Sequence, residues 1–289
     1  MNTTPRIPEP PLARTNTFAQ VALLFLGMFT AVLVIGMISM AFVEQTRVTL
    51  LTTSALQNVL AFALPSLFMA YLCDREPFKV MGVSDSSTPL AYVFAVLVLF
   101  SAAPWLNQTI HWNEQLQLPA WLSPLTEMEE NARAVTDTIL KTDNFGGFLV
   151  NVLTIGVLTG ICEELFFRAG VQRMLARTMN VHAAVWIAAA IFSLCHFQVY
   201  GFVPRMLLGA LLGYFYIYSR SVWVPAAIHA INNSSVVVAV WQEGSVQNAV
   251  DDFGVTTDGF PWTALGCLVI TLLLFYKKDL FMPWLKRKR

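Results

Sequence analysis

The amino-acid sequence predicts an all-α fold, a polytopic membrane helix bundle with about eight transmembrane helices. Of its 289 residues, 56% are hydrophobic and 12% are charged, whereas a soluble domain contains roughly 25% charged residues. The formal net charge is zero, so nothing electrostatic indicates a nucleic acid as a partner, and membrane lipids are the expected surroundings. The four cysteines lie far apart without CxxC spacing, which indicates neither a disulfide framework nor a thiolate metal site.

Eight hydrophobic stretches approach the roughly 20 residues that a helix needs to cross a bilayer. The third and sixth stretches are short, so we expect them to be the weakest spans. Two GxxxG pairs, Gly156/Gly160 and Gly209/Gly213, predict points where helices approach closely. The predicted spans are 18–42, 48–71 with a kink at Pro65, 90–106, 145 to beyond 161, 181–200, 204–218, 222–241 and 260–276.

The spans divide the chain into three predicted parts. Residues 1–17 form a polar, Pro-rich leader that we expect to be disordered. Residues 18–144 hold three helices and end in a long acidic loop, 107–144, on the outer side of the membrane. Residues 145–289 hold five helices, contain the candidate catalytic residues and end in a basic cytoplasmic tail.

The positions of Lys and Arg predict the orientation of the chain, because cytoplasmic loops are enriched in these residues. With the N-terminus inside, the outer segments hold only Arg47, Arg133, Lys141 and Arg205, and every other basic residue lies inside. We therefore expect an integral protein of the inner or plasma membrane whose two termini are both cytoplasmic.

Ionisable residues inside membrane spans cost about 2.5 to 3.5 kcal/mol each on insertion scales, so they are functional candidates. The first cluster is EELFFR, residues 163–168, at the end of the fourth span. On a helix, Glu164 and Arg168 are four residues apart and can form an ion pair. Glu163 lies about 100° around the helix from Glu164 and is left free. A simple charge cluster at a helix end is the alternative interpretation.

Two further clusters contain histidine. The fifth span contains FSLCH, which ends at His196, and the seventh contains HAINN, in which His229 and Asn233 are four residues apart. A carboxylate and an imidazole can hold a water molecule and remove its proton, while a second imidazole and an amide can stabilise a developing oxyanion. Such a site would hydrolyse an amide bond without a serine or cysteine nucleophile. A zinc site is the alternative, although HExxH spacing is absent, and Asn232–Asn233 alone could serve helix packing.

These segments, taken in order, resemble the EExxxR, FxxxH and HxxxN motifs of the CPBP intramembrane proteases. That family includes the CAAX prenyl endoproteases and proteins of bacteriocin processing or immunity. The resemblance covers residues 146–240 and implies an eight-helix fold with its active site in a cavity inside the membrane.

The resemblance also implies a role for each motif residue. Glu163 and His196 would activate the water. His229 and Asn233 would stabilise the oxyanion, and Glu164 and Arg168 would support the site. A glutamate-type mechanism without a cofactor is favoured over a metalloprotease, because the Asn233 amide suits an oxyanion hole better than a zinc shell. A bound zinc ion would instead take Glu163, His196 and His229 as ligands.

We therefore expect an intramembrane endopeptidase whose substrate is a membrane-associated or lipidated protein, or a leader peptide. Two other functions stay open. In a non-catalytic membrane scaffold or bacteriocin-immunity protein, the same residues would hold the bundle together. A transporter or proton relay is the least favoured, because the sequence contains no paired repeats.

Depth in the membrane separates two of the candidate residues. His196 lies deep along the predicted fifth span, whereas Glu163 falls near the cytoplasmic end of the predicted fourth span. At 1.5 Å per residue, their depths differ by about 10 Å. We therefore expect either a longer fourth helix or a displaced fifth helix.

Overall fold

The computed structural model describes residues 9–40, 46–85, 87–116, 119, 121, 123–244 and 254–282. Within these residues the regular structure is helical and contains no strand, so the prediction of an all-α bundle is confirmed. In chain order the helices are α1 Thr17–Met40, α2 Arg47–Cys73, α3 Pro77–Val80, α4 Pro89–Glu114, α5 Ser123–Leu140, α6 Phe145–Leu175, α7 Val181–Leu194, α8 Phe202–Ser219, α9 Trp223–Glu243 and α10 Trp262–Tyr276.

Most of these helices have the length and surface of membrane spans. Six helices in the described part of the chain, α1, α2, α4, α6, α8 and α9, are long and apolar enough to cross a membrane. Helices α7 and α10 are equally apolar but have 14 and 15 residues. Large apolar side chains cover the outer surface, where Leu33 is 66% exposed and Phe68 is 58% exposed. An apolar surface of this extent is stable against lipid, so the chain is a polytopic integral membrane protein.

The prediction that the third span is among the weakest is wrong. The sixth span, α8, has 18 residues, the fewest of the six candidate spans in the described part of the chain, and α7 and α10 are shorter still. The third span, α4, has 26 residues and continues past Leu106 to Glu114. Two polar residues of this extension, Gln108 and Asn113, are buried, and Gln108 accepts a hydrogen bond from the Thr256 amide at 2.8 Å. Partners within the protein replace water there, and a hydropathy window cannot detect them.

The segment 107–144, predicted as a long acidic loop, is largely helical in its described residues. Its first residues complete α4, and most of the remainder forms α5, an amphipathic helix with one polar and one apolar face. Arg47 joins α5 to the bundle by donating to the Ile139 carbonyl at 2.9 Å and to Asn151 Oδ1 at 2.8 Å. Asn151, fully buried in α6, in turn donates to the Leu140 carbonyl at 2.8 Å. The segment is therefore a packed part of the fold.

Both predicted terminal segments lie partly beyond the described residues. Residues 1–8 of the leader and 283–289 of the basic tail fall outside them. Residues 9–16 contain turns that contact α2, where the Leu12 amide donates to the Leu72 carbonyl at 2.9 Å. Gln20, which is 2% exposed, donates from Nε2 to the Leu12 carbonyl at 2.8 Å and secures this turn.

Helix α6 is the element that positions the candidate site. It has 31 residues and ends at Leu175, well beyond the predicted span. Glu163 therefore lies inside the helix, past its midpoint, so the expected longer fourth helix is observed. The hydropathy pattern ended the span early because two adjacent glutamates interrupt it, although both are buried in the folded protein.

Two stretches of α6 are π-helical, Val152–Leu158 and Leu165–Gln172, and they flank the α-helical turn Thr159–Glu164. A π-helical turn is rare and is frequently found at functional sites. It contains an extra residue, which rotates the side chains that follow relative to a regular α-helix. All eight residues of the second stretch are buried, so the bundle encloses α6 on every side at this level.

Glycines allow close helix contacts, as the GxxxG pairs predicted. A β-carbon on Gly160 would lie 2.9 Å from the Ala230 amide nitrogen of α9, and one on Gly156 would lie 2.3 Å from a serine hydroxyl of α9. On α8, a β-carbon on Gly209 would lie 3.2 Å from the Phe192 ring of α7. Helices α6 and α9 therefore approach each other more closely than larger residues would permit.

Phenylalanine side chains pack the second half of α6 against α1, α2 and α7. The Phe166 ring lies 5.3 Å from that of Phe25 and 5.4 Å from that of Phe62, both edge to face. The Phe167 ring lies 5.1 Å from that of Phe192. Edge-to-face aromatic pairs stabilise by about 0.5 to 1.5 kcal/mol beyond area burial, so this cluster holds the glutamate-bearing turn in place.

Candidate active site

The candidate site lies where α6 faces α9, inside the helix bundle. Its charged residues are removed from the surface, since Glu164 and Arg168 are 0% exposed and Glu163 is 8% exposed. Buried charges are stable only when they are paired or hydrogen-bonded. The contacts of each charged group therefore indicate its role.

Glu164 uses its two carboxylate oxygens to bind two partners. Arg168 Nε donates to Oε2 at 2.8 Å, which confirms the ion pair predicted from the four-residue spacing. His229 Nδ1 lies 2.9 Å from Oε1. Because an ionised carboxylate only accepts hydrogen bonds, Nδ1 of His229 carries the proton and donates it. The second contact joins α6 to α9 and fixes the orientation of the His229 ring.

Arg168 is enclosed by the bundle on all sides. Its guanidinium carbon lies 5.2 Å from the centre of the Phe192 ring, within the range of a cation–π contact. Its Nη1 and Nη2 atoms are buried and have no hydrogen-bond partner among the described residues. The ion pair with Glu164 is therefore the main compensation for burying this charge.

Glu163 occupies the neighbouring face of α6 and is less engaged. Its Oε2 atom lies 3.6 Å from Nε2 of His229, which is longer than a hydrogen bond. No other described side chain forms an ion pair with it. This difference agrees with the prediction that one glutamate is paired and the other is free. A carboxylate with unused lone pairs can accept a proton from water.

His196 lies in the turn after α7, two residues beyond Leu194, so its predicted place within the helix is wrong. Its Nδ1 atom is 2.8 Å from the Phe192 carbonyl oxygen. Since a carbonyl only accepts, Nδ1 carries the proton, and Nε2 of the neutral ring keeps its lone pair. The helix ends here as the chain turns, with Phe197 in the left-handed region at φ 53°.

Phe192 brings the two histidines of the site together. Its ring centroid lies 4.9 Å from the His196 ring and 5.8 Å from the His229 ring. No hydrogen bond joins His196 to Glu163 within the described structure. The Phe192 ring is the group that contacts both histidines. The motif FSLCH contains this phenylalanine, but the sequence analysis gave it no role of its own.

Asn233 lies one turn beyond His229 on the same side of α9, about 6 Å further along the axis. Its Nδ2 atom donates to the Ile155 carbonyl of α6 at 3.4 Å, a long contact. The structure therefore brings Asn233 to the backbone of α6, two turns before Glu163, and does not place it in contact with the other motif side chains.

Two charged residues that the sequence analysis counted only as outer-segment charges contact the loop 195–201, which contains His196. Arg205, in the first turn of α8, donates to the Gln198 side chain. Glu129 of α5 is 4% exposed and accepts a hydrogen bond from the Tyr200 amide at 3.2 Å. The only available signal for Glu129 was the clustering of acidic residues near it, because burial of a single carboxylate leaves no local pattern.

The alternative zinc ligands, Glu163, His196 and His229, do not form a coordination site in this arrangement. Among the residues that the structure describes, no group of three His, Cys, Asp or Glu side chains is placed to hold a metal ion. Nδ1 of each histidine is already engaged, so each ring could offer only Nε2. If a zinc ion bound here, Nε2 of each ring and the Glu163 carboxylate would be the atoms that hold it.

The fold and the buried Glu–His–Arg cluster define a class, a polytopic membrane protein with a polar site between packed helices. Residues 145–235 match the Rce1-like family, described as type II CAAX prenyl endopeptidase Rce1-like. This match includes all six motif residues and confirms that this segment resembles the CPBP and CAAX proteases. Neither a curated protein nor a solved structure matches the chain.

Proposed function

We propose that this protein is an intramembrane endopeptidase that hydrolyses a peptide bond of a membrane-associated or lipidated protein, or of a leader peptide. The unequal contacts of the two glutamates are the main support. Glu164 is bound by Arg168 and His229, whereas the adjacent Glu163 keeps an uncommitted carboxylate in a buried site. The family match of residues 145–235 supports the same reaction class.

Glu163 and His196 are the proposed water-activating groups. A water molecule held by the Glu163 carboxylate and by the Nε2 lone pair of His196 would lose a proton to Glu163 while its oxygen attacks the substrate carbonyl carbon. A carbon–oxygen bond forms, and the carbonyl oxygen becomes negative. When this intermediate collapses, the carbon–nitrogen bond breaks and Glu163 returns the proton to the leaving amine.

His229 and Asn233 are the proposed oxyanion donors. With Nδ1 bound to Glu164, His229 directs Nε2 away from that contact, and a protonated ring would donate from Nε2. Protonated His229 and Arg168 together would balance the two carboxylates and leave the cluster without net charge. The 3.4 Å contact of Asn233 with the Ile155 carbonyl is weak, so a side-chain rotation would free its amide for the oxyanion.

Glu164 and Arg168 are proposed positioning residues. Glu164 holds the ring of His229 in one orientation and would stabilise its protonated form, as a carboxylate does for a catalytic histidine in other hydrolases. Arg168 keeps Glu164 ionised by pairing with it at 2.8 Å. Neither residue needs to contact the substrate in this mechanism.

The proposed mechanism is glutamate-type and needs no cofactor, and zinc-dependent hydrolysis is its alternative. The test is cleavage by the purified wild type and by Glu163→Gln in detergent, with and without a chelator. The substrates are a peptide library that contains prenylated C-terminal peptides and unmodified leader peptides, and mass spectrometry identifies the products. Glu127→Gln, at an exposed position on α5, is the control. We expect Glu163→Gln to lose about 10²-fold to 10⁴-fold in kcat.

The outcomes separate the candidate functions. A folded Glu163→Gln variant that cleaves as fast as the wild type would refute the proposal. Loss of cleavage in chelator with recovery in zinc would replace the glutamate-type mechanism by a metalloprotease. No cleavage by any of the folded proteins would favour the scaffold or immunity function, in which the buried cluster only stabilises the bundle.

A further inference from the structure

The loop 195–201 between α7 and α8 determines where His196 lies. It consists of turns and bends without a helix or strand. Phe197, the residue after His196, has a positive φ of 53°, a conformation that side-chain-bearing residues rarely adopt. The position of the His196 ring therefore depends on the contacts that hold this loop.

Two contacts from the adjacent helices close the ends of the loop. Ser193 Oγ donates to the Phe202 carbonyl at 2.7 Å, which ties the last turn of α7 to the start of α8. Arg205 donates to the Gln198 side chain. The Phe202 amide of α8 also donates to the Val199 carbonyl at 3.1 Å. None of these contacts reaches the backbone of Tyr200.

Residues from outside the family segment bind that remaining part of the loop. Asn113, in the last turn of α4, donates from Nδ2 to the Val199 carbonyl at 3.3 Å and also to the Tyr200 carbonyl. Glu129 of α5 accepts from the Tyr200 amide at 3.2 Å through Oε2. Both backbone groups of Tyr200 are therefore held by the N-terminal half of the chain.

These outside residues are also connected to one another. Glu129 is 4% exposed, and its Oε1 atom lies 3.6 Å from Arg133 Nη2. The same Arg133 nitrogen lies 3.1 Å from Glu114 Oε1 at the end of α4. Helices α4 and α5 are thus joined where they meet the loop. The α4–α5 clamp consists of Asn113, Glu114, Glu129 and Arg133.

We propose that Glu129 is a positioning residue for His196, acting through the Tyr200 backbone, and that the α4–α5 clamp completes the active site. The proposal rests on the proposed peptidase function. The clamp lies outside residues 145–235, which match the family, so it gives a role to the acidic segment 107–144. Its physical basis is that a catalytic side chain must be held within about 0.5 Å of its productive position.

Steady-state kinetics of the full-length chain test this proposal, with thermal unfolding measured on each variant. Glu129→Ala removes the acceptor for the Tyr200 amide, so we expect kcat to fall about 10-fold to 100-fold with little change in KM. Glu129→Gln keeps a carbonyl oxygen that can accept the same bond and should restore kcat close to the wild-type value. Glu130→Gln, at the exposed neighbouring position, should behave as the wild type.

Two results would refute the proposed role of the α4–α5 clamp. One is wild-type kcat in Glu129→Ala while Glu163→Gln is inactive, which leaves the peptidase function intact. The other is an equal loss in the Ala and Gln variants with a parallel drop in Tm, because that pattern marks a purely structural role. Cleavage that survives in Glu163→Gln would instead refute the peptidase function itself.

Discussion

Two arginine–glutamate pairs in this protein have the same nitrogen–oxygen distance, 2.8 Å, in opposite surroundings. The side chains of Arg168 and Glu164 are 0% exposed, whereas those of Arg14 and Glu9 are 85% and 48% exposed. An exposed pair contributes about 0 to 1 kcal/mol, but removing one partner of a buried pair costs about 3 to 5 kcal/mol. Distance alone therefore does not identify the important pair, and burial does.

Among the substitutions that test this comparison, Arg168→Met is expected to have the largest effect. The change leaves Glu164 as a buried charge without its cation, so the free energy of unfolding should fall by about 3 to 5 kcal/mol. Arg14→Met is the matched control and should change it by less than about 1 kcal/mol. Thermal or denaturant unfolding in detergent measures both. Equal effects of the two variants would contradict the argument from burial.

Asn233→Ala extends the comparison to an uncharged, half-buried motif residue one turn beyond His229 on α9. If its amide binds the oxyanion, kcat should fall about 10²-fold to 10³-fold, or about 2.7 to 4 kcal/mol. Asn232→Ala, at the half-buried neighbouring position, should leave kcat nearly unchanged. A wild-type rate in Asn233→Ala would show that the role of this residue is limited to its contact with the Ile155 carbonyl.

The smallest effect concerns the helix contact that brings the buried groups together. Gly160→Ala places a β-carbon 2.9 Å from the Ala230 amide nitrogen, which should destabilise by about 1 to 3 kcal/mol and shift Glu163 relative to His229. Gly266→Ala in α10 meets nothing within 4 Å and is the control. Of these two variants, only Gly160→Ala should lower the free energy of unfolding and the rate of cleavage. Wild-type values in Gly160→Ala would show that α6 and α9 can move apart without loss of stability or activity.

Much of the helical architecture was predictable from the sequence, and the wrongly predicted ends of two helices share one cause. Apolar stretches identified every long helix that spans the bundle, because hydropathy is a local property. The predicted ends were wrong at α4 and α6, where Gln108 and Glu163 interrupt the apolar pattern. Both residues are buried in the folded protein. The partners that permit this burial come from segments distant in sequence, so no local window reveals them.

The candidate site was predictable in its residue types and only partly in its contacts. Spacing predicted the pair of Glu164 with Arg168, since residues four apart share a helix face. It did not predict that Glu164 also binds His229, 65 residues away. The roles of the motif residues in catalysis stay predictions, and Asn233 contacts a backbone carbonyl of α6 in place of another site residue.

By itself, the sequence determined that this protein is a helical membrane protein with three polar motifs in its second half. Composition, hydropathy and four-residue spacing are properties of the sequence, and they can be evaluated without knowledge of the fold. The tertiary structure alone shows that Phe192 contacts both histidines, that α5 packs Glu129 against the loop of His196, and that Glu164 binds His229 as well as Arg168. These contacts depend on which helices, distant in sequence, pack together. Buried polar groups are stable only where this packing supplies their hydrogen-bond partners.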